Sequence, residues 1–433
     1  MNMISFHRTG IAALKGLLCC IFLVLLCNTS IHAQAIDSNQ KGLTVLIAKA
    51  VIDVQNGQTI NNPVIFIRDG KIEKIGSGLK IPSNSQLIDL SGMYILPGLV
   101  DAHSHLCHEY RSGLDAVNGA NTIAETVILT EADRALLGAR HAREMLLAGY
   151  TTARDLGNSG VSAAVALRDA INNGWVTGPR LFVSNRAISP IGGQFVKISP
   201  EVKDSIIPKE YVEVNSAGEA REAVRQSIYD GADCIKIIVN NNRLVLSLDE
   251  LTAIVEEAKR AGLKVAAHAT NGDEPSLLAI KAGVNSIEHG YTISEEVLKL
   301  MAEKDIYLVP TDRAGVERYQ KRIKRALDAK VKIAFGSDMY YYDDQRNRGQ
   351  VTVSTYGAYK QSGMTNLQIL QSATMHPGNL VAGEGKIGLL ENGYFADIIA
   401  VTDNPLDNIQ TLEKVVFVMK QGEVFKKIDS LRK

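Results

Sequence analysis

Four histidines of this 433-residue chain stand at or just after the ends of short apolar runs. The first run leads into Asp101-Ala102-His103-Ser104-His105, and the other two histidines are His268 and His289. A further apolar run is followed by Asp338. Imidazole and carboxylate groups together bind zinc and similar divalent ions. One His-x-His pair alone is weak evidence, but this repeated placement predicts a metal centre rather than scattered core histidines.

Lys236 lies within another apolar run, Cys234-Ile235-Lys236-Ile237-Ile238. Burying an unpaired ammonium group is costly, so the residue needs an explanation. Three interpretations are open: the side chain extends outward between helices, it forms a structural ion pair, or it loses its proton and captures carbon dioxide. The resulting carbamate is an anionic oxygen ligand that can bridge two metal ions.

The elements that must position these residues read as alternating strands and helices. Strands with helical connections over this length are typical of a parallel (β/α)8 TIM-type barrel. Active sites of such barrels lie at the carboxyl ends of the strands, and residues i and i+2 of a strand face the same side. His103 and His105 are therefore expected to point together into the barrel mouth. The predicted strands are Leu99–Ala102, Thr151–Arg154, Arg180–Val183, Cys234–Val239, Lys264–Ala267, Asn285–Ile287, Tyr307–Val309 and Lys332–Phe335.

Short β-type runs with Asn-Gly and Asp-Gly turns precede this region, and a second β-rich set closes the chain. We therefore predict that both chain ends build one small β-sandwich domain. The N-terminal part of this domain covers residues 36–97, the barrel covers residues 98–384, and the C-terminal part covers residues 385–433.

The composition is that of an ordinary globular protein, with 45% hydrophobic and 22% charged residues and a formal net charge of zero. No long basic run with interleaved aromatic residues is present in the sequence, so nucleic acid is a poor candidate partner. The expected partner is a small-molecule substrate. The sequence leaves a homo-oligomer open.

The first 35 residues have the pattern of an export signal. Arg8 and Lys15 precede the apolar run Gly16–Cys27, and Ala33-Gln34-Ala35 provides small residues for cleavage. The run is shorter than the ~20 residues that a membrane span requires. We predict a signal peptide over residues 1–35, an exported protein that is periplasmic or secreted, and no stable membrane anchor after cleavage.

The segment Tyr94–His105, YILPGLVDAHSH, resembles the signature of the amidohydrolase superfamily. The resemblance extends over essentially the whole mature chain. Within the superfamily, the chain is similar to the imidazolonepropionase-related branch that includes Xaa-Pro dipeptidase-like enzymes. The other matching segments are Asp233–Lys236, Ala267–Ala269, Ile287–Gly290, Gly336–Asp338 and Gly393–Asp397.

This resemblance implies a role for each candidate ligand. His103 and His105 hold one divalent ion, and His268 and His289 hold the other. Carboxylated Lys236 bridges the two ions, which are expected to be zinc. Asp338 binds the first ion and contacts the hydroxide between the ions, where it acts as general base and then as general acid. The implied reaction is hydrolysis of a carbon–nitrogen amide bond by this metal-bridging hydroxide.

The residues around the substrate depart from the dipeptidase-like pattern. Gln194 stands after a Gly pair where that pattern often has His, and Thr270 stands where it often has Tyr. Arg243, seven residues after Lys236, is the predicted partner of a substrate carboxylate, and Arg154 and Arg346 are further candidates whose default role is ion pairing. We expect a dipeptide or an N-acyl amino acid as the substrate.

Two other functions are compatible with parts of the sequence. A mononuclear deaminase or cyclic-amide hydrolase of the same superfamily would need His103, His105, His268 and Asp338 but no carboxylated lysine. A catalytically dead scaffold built on the barrel would be expected to lack ligands, whereas this chain keeps all six. The number of bound metal ions separates the first alternative from the binuclear hydrolase.

Overall fold

The computed structural model describes residues 42–110, 120–242, 244–313 and 316–427. The predicted signal peptide and Arg243 lie outside these residues. The strands are β1 (Thr44–Ile52), β2 (Thr59–Asn61), β3 (Pro63–Arg68), β4 (Lys71–Ser77), β5 (Gln86–Pro97), β6 (Leu99–Ser104), β7 (Tyr150–Asp155), β8 (Arg180–Val183), β9 (Ala187–Ser189), β10 (Tyr211–Glu213), β11 (Cys234–Ile238), β12 (Lys264–Ala269), β13 (Ser286–His289), β14 (Tyr307–Val309), β15 (Ile398–Val401), β16 (Phe417–Lys420) and β17 (Glu423–Lys426).

Helices occupy most of the connections between the barrel strands. The α-helices are α1 (Ala120–Ile128), α2 (Glu131–Leu147), α3 (Ala163–Asn172), α4 (Lys203–Ile206), α5 (Ala217–Tyr229), α6 (Leu248–Arg260), α7 (Asp273–Ala282), α8 (Glu295–Glu303), α9 (Glu317–Asp328), α10 (Arg348–Ser354), α11 (Tyr356–Gln361), α12 (Asn366–Ala373) and α13 (Met375–Ala382). Capping boxes at Thr130 and Ser247 satisfy the first backbone N–H groups of α2 and α6 and fix where they begin. None of the helices within the described ranges combines the length and the apolar composition needed to cross a bilayer.

Strands from both ends of the described chain form one eight-stranded sheet, in the order β17-β16-β15-β5-β1-β3-β4 with β2 paired to β1. The long strand β5 joins the two sets, because it pairs with β1 between Gln86 and Ile95 and with β15 between Tyr94 and Pro97. The sheet curls, so that the N–H of Ala396 donates to the carbonyl of Gly70 and the N–H of Gly422 donates to the carbonyl of Ala396. The prediction that both chain ends build one β-domain is confirmed.

The middle of the chain is the predicted parallel barrel. Strands β6, β7 and β8 form one hydrogen-bonded stretch, and β9 and β11 to β14 form another, with β10 beside β9. The N–H of Asp233, just before β11, donates to the carbonyl of Val183 in β8 at 2.7 Å and connects the two stretches. The third predicted strand, Arg180–Val183, agrees with β8. The third barrel position also includes β9, which was not predicted: β8 pairs with β7, whereas β9 pairs with β11.

The eighth barrel position is less regular than the sequence predicts. Residues 332–335 form an isolated parallel bridge from Ile333 to Leu308 rather than a full strand. The ring closes where the N–H of Ala102 in β6 donates to the carbonyl of Phe335 at 2.9 Å. All described residues from Leu43 onward belong to one compact unit, and the domain boundaries at residues 97 and 384 stay predictions.

Candidate metal centre and active site

The six predicted ligands line a single cavity at the carboxyl ends of the barrel strands, with a volume of about 180 Å³. The chain therefore brings together residues that are up to 235 positions apart, from His103 to Asp338. Other residues that line the cavity include Asn158, Gln194, Tyr291 and Tyr340. The six ligands are His103, His105, Lys236, His268, His289 and Asp338.

His103, His105 and Asp338 form a cluster whose potential ligand atoms lie within 4.8 Å of one another. Asp338 Oδ1 lies 3.1 Å from His105 Nε2 and 3.6 Å from His103 Nε2. Both histidines follow from the alternation of β6, and the N–H of Asp338 donates to the carbonyl of His103 at 2.8 Å, which fixes the aspartate opposite them. Two imidazoles and one carboxylate are a donor set that suits zinc and similar ions.

The hydrogen bond of His105 shows why a cation fits between these groups. Its Nδ1 donates to the carbonyl oxygen of Gly157 at 2.7 Å, because a carbonyl can only accept. In the neutral ring, Nε2 then carries a lone pair that faces the Asp338 carboxylate oxygen at 3.1 Å. Burial lowers the pKa of His105, but the hydrogen bond and charge of Asp338 outweigh it and raise the pKa. His105 Nε2 and the Asp338 carboxylate oxygen therefore need a positive charge between them, either a second proton on the ring or a metal ion.

His103 is held by a buried carboxylate that our sequence analysis did not identify. Its Nδ1 contacts Glu288 Oε2 at 2.7 Å, and this contact leaves Nε2 facing Asp338. The opposite oxygen, Glu288 Oε1, accepts from Arg154 at 2.9 Å. A carboxylate that fixes the ring orientation of a ligating histidine is a recurrent feature of metal sites. The sequence feature that could have identified Glu288 is its position as a charged residue within the buried strand β13.

The candidate substrate arginines have other partners. Arg154 is fully buried, and besides Glu288 its guanidinium donates to the carbonyl of Ala102 at 2.6 Å. Its suggested role as a substrate clamp is wrong, because it lies beneath the site between strands. Arg346 pairs with Asp343 at 2.8 Å, as the default interpretation predicts. Arg243 stays a prediction outside the described residues.

His268, His289 and Lys236 form the other half of the cavity. The ring centroids of the two histidines are 4.5 Å apart. His289 Nδ1 contacts Thr311 Oγ1 at 2.8 Å and lies 4.0 Å from Asp338 Oδ2. The side-chain amide of Gln194 lies 3.3 Å and 3.4 Å from the two ring nitrogens of His268. Asp338 therefore faces both halves of the cavity.

Lys236 is 3% exposed and forms no hydrogen bond or ion pair with any residue that the structure describes. The outward and ion-paired interpretations of this lysine are therefore wrong for the described chain. Burial lowers the pKa of Lys236 to about 8. Burial and the charge of Lys236 also lower the pKa of His268, to about 3. Burial thus favours the neutral amine of Lys236 and the neutral imidazole of His268, which are the forms that can bind carbon dioxide and a metal ion, respectively.

The strands that carry the site end in left-handed backbone conformations. The φ angles are 68° at His289, 55° at Thr311 and 48° at Asp338, in a region that non-glycine residues seldom adopt. The buried Arg322 donates to the carbonyls of His289 and Pro310 and stabilises this bend. Such local backbone strain is common at functional sites, where it directs side chains into a cavity.

The cavity lined by the six predicted ligands is the metal cavity. A larger pocket of about 420 Å³, the outer pocket, adjoins it. Gln194 and His268 line both cavities and mark the passage between them. The combined space falls in the range of small-molecule sites. The outer pocket is lined by Gln194, Phe195, Val196, Lys197, Asn240, Asn241, Asn242, His268 and Thr270.

The sequence model of the amidohydrolase family matches residues 94–425. The chain belongs to the amidohydrolase family. Ochratoxinase of Aspergillus niger is 30% identical, over 92% of this chain and 90% of that protein. The imidazolonepropionase of Thermoanaerobacter pseudethanolicus is 25% identical, over 82% of this chain and 88% of that protein.

Solved structures agree with this assignment. An Xaa-Pro dipeptidase with bound methionine in the active site matches with a TM-score of 0.78 and 32% identity, over 89% of this chain and 100% of that chain. The predicted amidohydrolase membership and the TIM barrel with a β-rich domain are confirmed. The chain is a hydrolase acting on carbon–nitrogen bonds, in a family that generally binds metal ions.

Proposed function

We propose that this amidohydrolase uses two divalent metal ions to cleave the amide bond of a dipeptide or an N-acyl amino acid. The observation that carries the proposal is the placement of Lys236. It is buried in the same cavity as four histidines and Asp338, without a polar partner among the described residues. A carboxylated lysine gives that position a function as the bridging ligand.

The residues divide into two ligand sets around this lysine. In the proposal, His103, His105 and Asp338 hold one ion, and His268 and His289 hold the other. We expect zinc, because imidazole nitrogens and carboxylate oxygens are its usual ligands. When bound, the ions supply a water of lowered pKa and polarise the scissile carbonyl.

Asp338 is the residue proposed to move the proton. Burial raises its pKa, but the hydrogen bond from His105 and the charges of His103, His105 and Arg313 outweigh this effect and lower the pKa. Asp338 is therefore an ionised acceptor at neutral pH. Its two oxygens face different halves of the cavity, 3.1 Å from His105 Nε2 and 4.0 Å from His289 Nδ1. A carboxylate in this position can accept a proton from water and deliver it to the leaving nitrogen.

One observation favours the mononuclear alternative, a deaminase or cyclic-amide hydrolase. Among the described residues, the group of three or more potential ligands that converges is His103, His105 and Asp338. The side-chain amide of Gln194 also contacts His268. Gln194 must therefore turn away before His268 binds an ion. Both proposals use His268 and so both require this rotation, but the converging group His103, His105 and Asp338 is by itself enough to hold a single ion beside β6.

The proposed substrate class has two supports besides the site. The similar Xaa-Pro dipeptidase contains methionine, a free amino acid, in its active site. The outer pocket extends the metal cavity by a volume that can hold one end of a dipeptide-sized molecule. The differences at Gln194 and Thr270 from the dipeptidase-like pattern are consistent with an altered choice of side chain within this class.

A substrate panel tests the proposed class. We expect zinc-loaded protein supplied with bicarbonate to hydrolyse dipeptides or N-acyl amino acids faster than cyclic amides, esters and phosphoesters. The measurement is kcat/KM for each compound by release of the amine. Protein carrying Asp338→Asn, purified in parallel, controls for contaminating peptidases. Turnover of cyclic amides or esters alone would contradict the substrate assignment and leave the hydrolase class intact.

We also propose that the protein is exported, on the sequence of its first 35 residues. The expected N-terminus of protein recovered from its native host is near Gln34 or Ile36, as N-terminal sequencing would show. Recovery of the soluble protein with Met1 intact would contradict export.

A further inference from the structure

We propose that Lys197 binds a carboxylate of the substrate in the outer pocket, so that the enzyme selects amides whose leaving amino acid has a free carboxylate. This inference rests on the proposed amide hydrolysis and names the end of the substrate that the outer pocket recognises. Lys197 follows Gln194 by three residues on the segment after β9.

Among the described residues that line the outer pocket, Lys197 is the only lysine or arginine, and none is an aspartate or a glutamate. It is exposed and forms no ion pair or hydrogen bond with a described residue. A lysine ammonium in this setting keeps its donors for a ligand. The electrostatics of the described pocket therefore favour an anionic group.

The neighbouring asparagines are occupied in holding the pocket walls. Asn240 Oδ1 accepts from the N–H of Thr270 at 3.0 Å. The side-chain amide of Asn241 donates to the carbonyls of Ile191 and Gly193 at 3.0 Å and 3.1 Å. These bonds join the segment that carries Lys197 to the loops after β11 and β12. They give the pocket a fixed wall and leave Lys197 as the cation that the described part of the lining offers to a ligand.

The connection between the metal cavity and the outer pocket brings one end of a bound substrate to Lys197. Gln194 and His268 line both cavities, so a substrate whose amide lies at the proposed ligands extends past them into the outer pocket. Phe195 and Val196 add apolar walls beside the lysine. The combination fits an amino acid with an apolar side chain and a free carboxylate, such as the phenylalanine portion of N-acetyl-L-phenylalanine.

The experiment compares N-acetyl-L-phenylalanine with its carboxamide, which lacks the charge. A charge-assisted pair of this kind contributes about ten- to hundredfold in binding. We expect the native protein to prefer the acid by that factor in kcat/KM, and Lys197→Gln to lose the preference through a higher KM for the acid. Lys197→Arg should retain it. Lys299→Gln, at an exposed lysine of α8, is the matched control and should behave as the native protein.

A binding measurement separates this inference from the proposed reaction. Calorimetric titration of both compounds into zinc-loaded Asp338→Asn protein needs no turnover. If the acid binds more tightly than the carboxamide and Lys197→Gln in the same background abolishes the difference, the site at Lys197 stands even when no amide is hydrolysed. If Lys197→Gln keeps the full preference for the acid, in binding or in kcat/KM, the inference is wrong although the hydrolase proposal remains.

Discussion

Replacing Lys236 with alanine is expected to release at least one of two metal ions per chain and to remove most of the activity. Lys236 lies in the cavity that all six proposed ligands line, and its carbamate would be the ligand shared by both ions. Loss of residues that only orient ligands costs about 10–100-fold in metal affinity or activity, so loss of a bridging ligand should cost more. Elemental analysis and kcat/KM measure the two effects, and short carboxylic acids should restore part of the activity.

The variant Lys236→Met provides the control for folding. Methionine keeps much of the length of lysine without its amine, and burying an unpaired ammonium is costly. Metal-free Lys236→Met should therefore be at least as resistant to thermal unfolding as the metal-free native protein, while it still loses metal and activity. A native protein that is fully active with one tightly held ion would contradict the binuclear proposal and favour the mononuclear alternative.

Replacing Asp338 with asparagine is expected to lower kcat by about 10²–10⁴-fold, the range typical of lost general acid–base catalysis. The amide keeps the shape of the side chain but cannot accept the proton. KM should change much less, because the outer pocket that we assign to substrate binding does not include Asp338. Steady-state kinetics at saturating zinc separate the two constants.

The matched control for this variant is Asp344→Asn, which changes an exposed aspartate six residues further along the chain. It should leave kcat unchanged. Metal analysis of Asp338→Asn is needed as well, since Asp338 is also a proposed ligand of the first ion. A variant that holds its metal and retains a near-native kcat would remove Asp338 from the proposed mechanism.

The sequence predicted those site residues that the pattern of their immediate neighbours reveals. His103 and His105 were identifiable because a two-residue spacing on a strand places both on one face, and Lys236 because a charge interrupts an apolar run. Glu288 was missed, although it contacts His103 directly. Its partners lie 185 and 134 residues away along the chain, at His103 and Arg154. Contacts over such separations leave no periodic signal in a single sequence.

The fold was predicted in the same uneven way. The beginnings of α2 and α6 are marked locally in the sequence by apolar periodicity and capping residues. The division of the third barrel strand into β8 and β9 was not predicted. It depends on which neighbour each half pairs with, β7 or β11. The irregular eighth position likewise depends on pairing with residues far away in the sequence.

The sheet that combines strands from both ends of the described chain has a consequence for folding during translation. The segment Tyr94–Pro97 of β5 pairs with Ile398–Val401, about three hundred residues later in synthesis. Until the ribosome has made β15, that side of β5 is an open strand edge, and such edges promote pairing with other chains. The β-domain can therefore be completed only near the end of translation. Shortening the chain by its last strands would leave an aggregation-prone edge even though every proposed metal ligand is already present.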